Sequence, residues 1–263
     1  MAEAIQRERA MALRWVSAGE LAFLTAAYFV GAWMVAPLIG RVPLAVEAMR
    51  MGVLAAAVYV AFISPVLIHG DTAAQRGVGT WRTLFVRTDN LAAAAGRFGL
   101  FTLAGAAALV ALALIRQPDG LRHVRWDAFG MKLFAYCLFA PVQAYVMWSF
   151  MLPRFRRALA DGEDSDDDRV WPAVLACALC FALFHAPNVP LMAISFVFAI
   201  ASGRIYAATP NLFVASLSHA LLGTILQQIF GLYTRVGWCF ANPESYVIRN
   251  LFPFVKDLTR GML

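Results

Sequence analysis

Asp, Glu, Lys and Arg are absent from six long stretches of the chain: 21–40, 51–70, 98–115, 133–153, 170–203 and 205–234. A helix that crosses a bilayer needs roughly 17–25 mostly apolar residues. Six runs of 18 to 34 residues are too many to be hidden inside one water-soluble core. The balance of residue types agrees: 61% are hydrophobic and 14% charged, against about 45–50% and about 25% in soluble domains. The fold class that follows is all-α, a polytopic membrane helix bundle of about seven or eight transmembrane helices, since a helix satisfies its own backbone in lipid.

The breaks between runs set the organisation. Residues 1–19, with Arg7, Arg9 and Arg14, read as an amphipathic N-terminal segment. No short apolar core with a small-residue cleavage site is seen there, so the first apolar run is expected to remain a membrane helix. Spans are expected at 20–40, 51–69, 94–115 and 131–152, with the Gly- and Arg-rich stretch His69 to Asn90 as a loop. The run 170–203 would measure about 51 Å as one helix, well beyond the ~30 Å hydrocarbon core. It must break, and His185-Ala-Pro-Asn-Val-Pro190 supplies the break, because proline lacks an amide donor and disfavours helix in the residue before it. Spans at 170–186 and 190–207 result, and Thr209-Pro210-Asn211 opens a last one at 210–231. The tail 232–263 reads as interfacial, with Tyr246, Ile248, Leu251, Phe252 and Phe254 inward. The domains expected are therefore 1–19, N-terminal helices and loops over 20–130, a core over 131–231, and the tail 232–263.

Charge narrows the partners. The net charge of +6 is spread singly or in small groups between apolar runs, where membrane loops carry Arg and Lys. The partners expected are the lipid bilayer and another membrane protein or membrane-anchored peptide, and no nucleic acid. Only 2 of the 22 basic residues are Lys, a usage typical of GC-rich genomes, so the expected location is a bacterial cytoplasmic (inner) membrane, crossed many times. Cys177 and Cys180 lie inside an apolar run and read as packing residues. The acidic tract 161–168 reads as a solvated loop facing Arg154, Arg156 and Arg157. Glu20 at the start of the first span, Glu47 just before the second and Glu244 in the tail each read as headgroup-level charges.

Two histidines are harder to place in lipid. His185 ends the fifth span and His219 sits mid-way along the seventh. Phe181 and His185 are four apart, so the ring can wall the imidazole. Two imidazoles on facing helices can bind a metal such as zinc, polarise a carbonyl, or hydrogen-bond across helices as structural glue.

The context of these residues resembles a family. Phe181-x-x-x-His185, followed by Pro187-Asn188, is similar to the FxxxH motif of the CAAX protease and bacteriocin-processing (CPBP) family of intramembrane endopeptidases. Gly203, Tyr206, Thr209 and Asn211 lead to His219 as they do in that family. The resemblance implies a catalytic role for His185 and His219, with Gln143, Phe181 and Asn188 completing a degenerate site. Its final HxxxN motif falls on His219-Ala-Leu-Leu-Gly223, and its EExxxR motif on Gln143, Ala144 and Trp148. The family's glutamate is a general base for water, and a Gln amide does not titrate. Three functions are weighed: a pseudoprotease acting as a binding or scaffold subunit of a membrane complex; an active endopeptidase processing prenylated or membrane-anchored peptides with a non-standard base or a metal; and a transporter, disfavoured by the lack of an internal repeat.

Overall fold

The computed structural model describes residues 2–39, 41–80, 83–159 and 170–242, and all regular structure among them is helical. The α-helices are α1 Ala2–Phe29, α2 Pro43–Val58, α3 Leu91–Arg116, α4 Trp126–Ala144, α5 Leu152–Ala158, α6 Val170–Leu183, α7 Val189–Ala208, α8 Leu212–Gln228 and α9 Trp238–Ala241. Wider π-helical turns extend three of the rods, at Val30–Val35, Tyr59–Ile68 and Tyr145–Met151. With these extensions, five helices are long and apolar enough to cross a membrane, and α6 and α8 are shorter apolar helices. The chain is a multi-pass membrane protein.

Local sequence explains most boundaries. α1 runs unbroken through residue 19, so the Arg7, Arg9 and Arg14 segment and the first apolar run form one rod. Pro65 sits inside the second π-helical turn, and beyond it the rod is closed off by His69 N–H donating to Ser64 C=O at 3.0 Å and Asp71 N–H donating to Pro65 C=O at 2.6 Å. The stretch from 184 to 187 is a turn, as the prolines require, and it separates α6 from α7. Asn211 caps α8, its side-chain oxygen accepting from Val214 N–H. The acidic tract 161–168 and the tail segment expected to carry Tyr246 to Phe254 lie outside the described residues.

Two compact units emerge, one from residues through Asp71, Phe150–Ile200 and those from Arg235, the other from Thr72–Ser149 with Ala201–Thr234. In the first, α1 packs on α5 and α5 on α6. In the second, α8 packs between α3 and α4. Small residues bring α3 and α8 close: Thr102 and Ser218 hydroxyls meet at 2.6 Å, and a β-carbon at Gly105 would lie 3.1 Å from Leu222. A β-carbon at Gly96, on the same helix, would meet nothing within 4 Å.

The second unit also holds its long loop firmly. Arg76 C=O accepts from Tyr206 and Ser149 hydroxyls at 2.6 and 2.7 Å. Gly77 has φ +68°, and any β-carbon there would collide with the Tyr206 hydroxyl. Asn211 donates to Arg87 C=O at 2.8 Å, and Arg97 donates to Thr209 at 2.6 Å. In the same loop, the Arg87 guanidinium beside Asp89 holds that carboxyl below its ordinary range. Tyr206, Thr209 and Asn211, which carry part of the sequence resemblance, are thus scaffold residues that fix the entry to α8.

Candidate functional site

His185 and its neighbours belong to the first unit. The Phe181 ring stands edge-on to the imidazole, centroids 4.7 Å apart at 78°, as the i, i+4 spacing requires. His185 Nδ1–H donates to Phe181 C=O at 2.6 Å, which leaves Nε2 as the nitrogen able to act. Asn188 is buried, and its oxygen accepts from Leu191 N–H while its amide donates to Arg235 C=O, both at 3.3 Å. It is an N-terminal cap for α7. Gly237 N–H donates to Ala186 C=O at 2.7 Å, so the stretch 235–237 is strapped across the His185 turn. Gly237 has φ +56°, and a β-carbon there would sit 2.9 Å from Ala32 C=O; glycine is required.

His219 and the residues that fall on the EExxxR pattern belong to the second unit. His219 is buried on α8, and its Nε2 lies 3.1 Å from the Tyr136 hydroxyl of α4. The two rings meet edge-on with centroids 5.6 Å apart. Gly223, one turn beyond His219, faces the same Tyr136 ring so closely that a β-carbon would overlap it. The position where the resemblance calls for an Asn is therefore filled by a ring from another helix. Gln143 lies seven residues past Tyr136, about 10 Å farther along α4, and is exposed. Ala144 and Trp148 are buried at 1% and 2%. No carboxylate stands at any of these positions.

Glu20 corrects the sequence reading. It is 7% exposed, not a headgroup-level charge. Tyr59 O–H donates to its Oε1 at 2.7 Å; His69 Nε2–H and Arg154 Nε–H donate to Oε2 at 3.1 and 3.3 Å. Burial of a charge is tolerable when it is paired and hydrogen-bonded, and here partners arrive from 39, 49 and 134 residues away. The basic cluster needs the same correction. Arg154 is fully buried, donating also to Asp71 at 2.8 Å and Ser64 at 2.9 Å, and Arg157 donates to Asp71. Glu20 directs its hydrogen bonds to Tyr59, His69 and Arg154 rather than to His185. Tyr28, whose hydroxyl donates to Phe184 C=O, marks the level of that turn, and Glu20 lies eight residues earlier on α1, about 12 Å away along the rod. Among the described residues no three His, Cys, Asp or Glu side chains cluster as metal ligands.

Compared with known families, residues 126–225 match the type II CAAX prenyl endopeptidase Rce1-like family. The matched segment begins at the start of α4 and ends on α8, so it contains Tyr136, Gln143, Phe181, His185, Asn188, His219 and Gly223. No curated protein and no solved structure matches the chain. Sequence reasoning singled out His185 and His219 and missed Tyr136, because a tyrosine in an apolar run carries no sign of what it faces. The Glu20 cluster did leave a trace: isolated opposite charges at the ends of different apolar runs.

Proposed function

We propose that this chain is a pseudoprotease of a bacterial cytoplasmic membrane: an Rce1-like protein that does not hydrolyse peptide bonds and acts as a binding or scaffold subunit for another membrane protein or a membrane-anchored peptide. The observation that carries the reading is the Tyr136 ring, seated against His219 and Gly223 where an orienting Asn would stand. The replaced acids support it further. A general base is worth about 10²–10⁴-fold in rate, and oxyanion stabilisation a further ~10²–10³. With Gln143 and Ala144 in place of glutamates and Gly223 in place of Asn, both contributions are gone.

The test is hydrolysis of a prenylated, CAAX-type peptide by the purified protein in nanodiscs. Turnover should equal the protein-free rate, and His185→Ala should change nothing. Robust cleavage that His185→Ala abolishes would overturn the reading. A zinc-dependent hydrolysis is the competing route, and cleavage lost on chelation and regained with zinc would establish it. Binding of the same fluorescent peptide without cleavage would support the scaffold role.

A further inference from the structure

The turn that carries His185 has its carbonyls at 184, 185 and 186 all occupied. His185 C=O accepts from Asn188 N–H at 3.0 Å within the turn, and Phe184 C=O accepts from the Tyr28 hydroxyl of α1. Ala186 C=O is met differently, by Gly237 N–H at 2.7 Å. Gly237 follows a stretch, 231–236, that has no regular structure. The Asn188 amide reaches the same stretch, donating to Arg235 C=O at 3.3 Å. The turn, Ala32 and the strap from Arg235 onward all belong to the first unit.

These two bonds read one edge of an extended backbone. In such a chain the C=O of one residue and the N–H of the second residue after it point to the same side, which is how a strand pairs with a parallel neighbour. Ala186 would ordinarily supply both the acceptor and the donor for that edge. Its N–H is committed to Leu183 C=O at 3.0 Å inside the turn, and the Asn188 side chain supplies the donor in its place. Asn188 therefore works at both ends: its oxygen caps α7, and its amide stands in for a strand N–H.

Both contacts go to main-chain atoms of the strap, so they are open to any extended segment, as when a peptide adds to a sheet edge. The selective position is Gly237. It is buried, with φ +56° and ψ −143°, a conformation that only glycine adopts without strain. The Ala32 C=O leaves no room for a β-carbon there. What fits this edge is therefore an extended segment with glycine two residues after the carbonyl that Asn188 reads.

We propose that Ala186 C=O and the Asn188 amide form a docking edge for an extended, glycine-containing peptide segment, and that residues 235–237 fill it in cis as a built-in competitor. The inference rests on the peptide-binding role proposed above and gives that role a place, directly beside His185. The strap is held at the turn by two hydrogen bonds whose net worth is modest, since water replaces them on release. A partner that offers the same two bonds can displace it. Anchorage in the same membrane raises the partner's local concentration, as the tether does for the strap.

The probe is a fluorescent synthetic peptide of residues 232–241, added under reducing conditions to the full chain in nanodiscs and followed by anisotropy. Gly237→Val in the protein sets a side chain against Ala32 C=O and should lift the strap, seen as faster amide exchange over 235–237 by mass spectrometry. Probe binding should then strengthen about tenfold or more, because a site open about one-tenth of the time binds about ten times more weakly than one always open. A probe that itself carries Gly237→Val partitions into lipid equally well but should not bind the site. If the protein variant does not fold, a protease site at Gly231, which is exposed, lets the tether be cut after folding, and excess probe should then enter the site. Equal probe binding before and after the strap is lifted or cut, equal binding of the two probes, or no binding to the lifted chain would each overturn the docking edge and leave the absence of hydrolysis untouched. Tighter probe binding accompanied by cleavage of a CAAX-type peptide would support the edge and overturn the pseudoprotease reading instead.

Discussion

His219 and His69 are both shielded histidines, and each holds Nε2 at 3.1 Å from a side-chain oxygen. The oxygens differ, and with them the chemistry. Tyr136 offers an uncharged hydroxyl that can give or take a hydrogen bond, so it leaves the tautomer of His219 open. Glu20 offers a carboxylate that fixes the tautomer of His69 and supplies a counter-charge. At His219 the matched segment offers a tyrosine, whereas the charged cluster has acid, imidazole and guanidinium together, with its two guanidiniums, Arg154 and Arg157, drawn from the same segment. A motif therefore tells where a chemistry was arranged, and hydrogen-bond partners tell where it is now supported.

Four substitutions sharpen or break this contrast. Arg154→Ala should be the most damaging, because it strands Glu20 and Asp71 as buried carboxylates. Breaking such a network typically costs about 3–5 kcal/mol, and chemical unfolding in detergent should register most of it; a loss under about 1 kcal/mol would mean that the cluster is wetter and weaker than its shielding implies. Gly223→Ala comes next. Its methyl group overlaps the Tyr136 ring, and overpacking costs about 1–3 kcal/mol. The same change in a Tyr136→Ala background should be nearly neutral, and a double-mutant cycle showing simple additivity would refute the Tyr136–Gly223 contact.

Tyr136→Phe keeps the ring and removes only the hydroxyl against His219. It should lower stability by about 0.5–1.5 kcal/mol, with no change in His69 signals by NMR. Gln143→Ala should do least, within about 0.5 kcal/mol, as befits an exposed side chain. A large thermal shift from Gln143→Ala would show that this amide is engaged after all, and that the degenerate motif still holds something.

Legibility in the sequence followed locality. Apolar runs, the Pro-rich break at 185–190 and the Asn211 cap all act within a few residues, and each appears where the sequence places it. The Phe181–His185 pair was equally readable, being one helical turn. Tyr136 and His219 are 83 residues apart, and nothing near either one announces the other. Glu20 was misread for the same reason. A carboxylate at the end of an apolar run belongs at the headgroups unless a distant Arg comes to meet it, and Arg154 does so from 134 residues away.

The overlap between Gly223 and Tyr136 also makes the two positions share one space. A β-carbon at 223 would meet the Tyr136 ring, so a larger residue there is tolerated only as far as the ring can give way, and a smaller residue at 136 relieves the cost. The two positions therefore act as one volume divided between two helices, and neither can be redesigned alone.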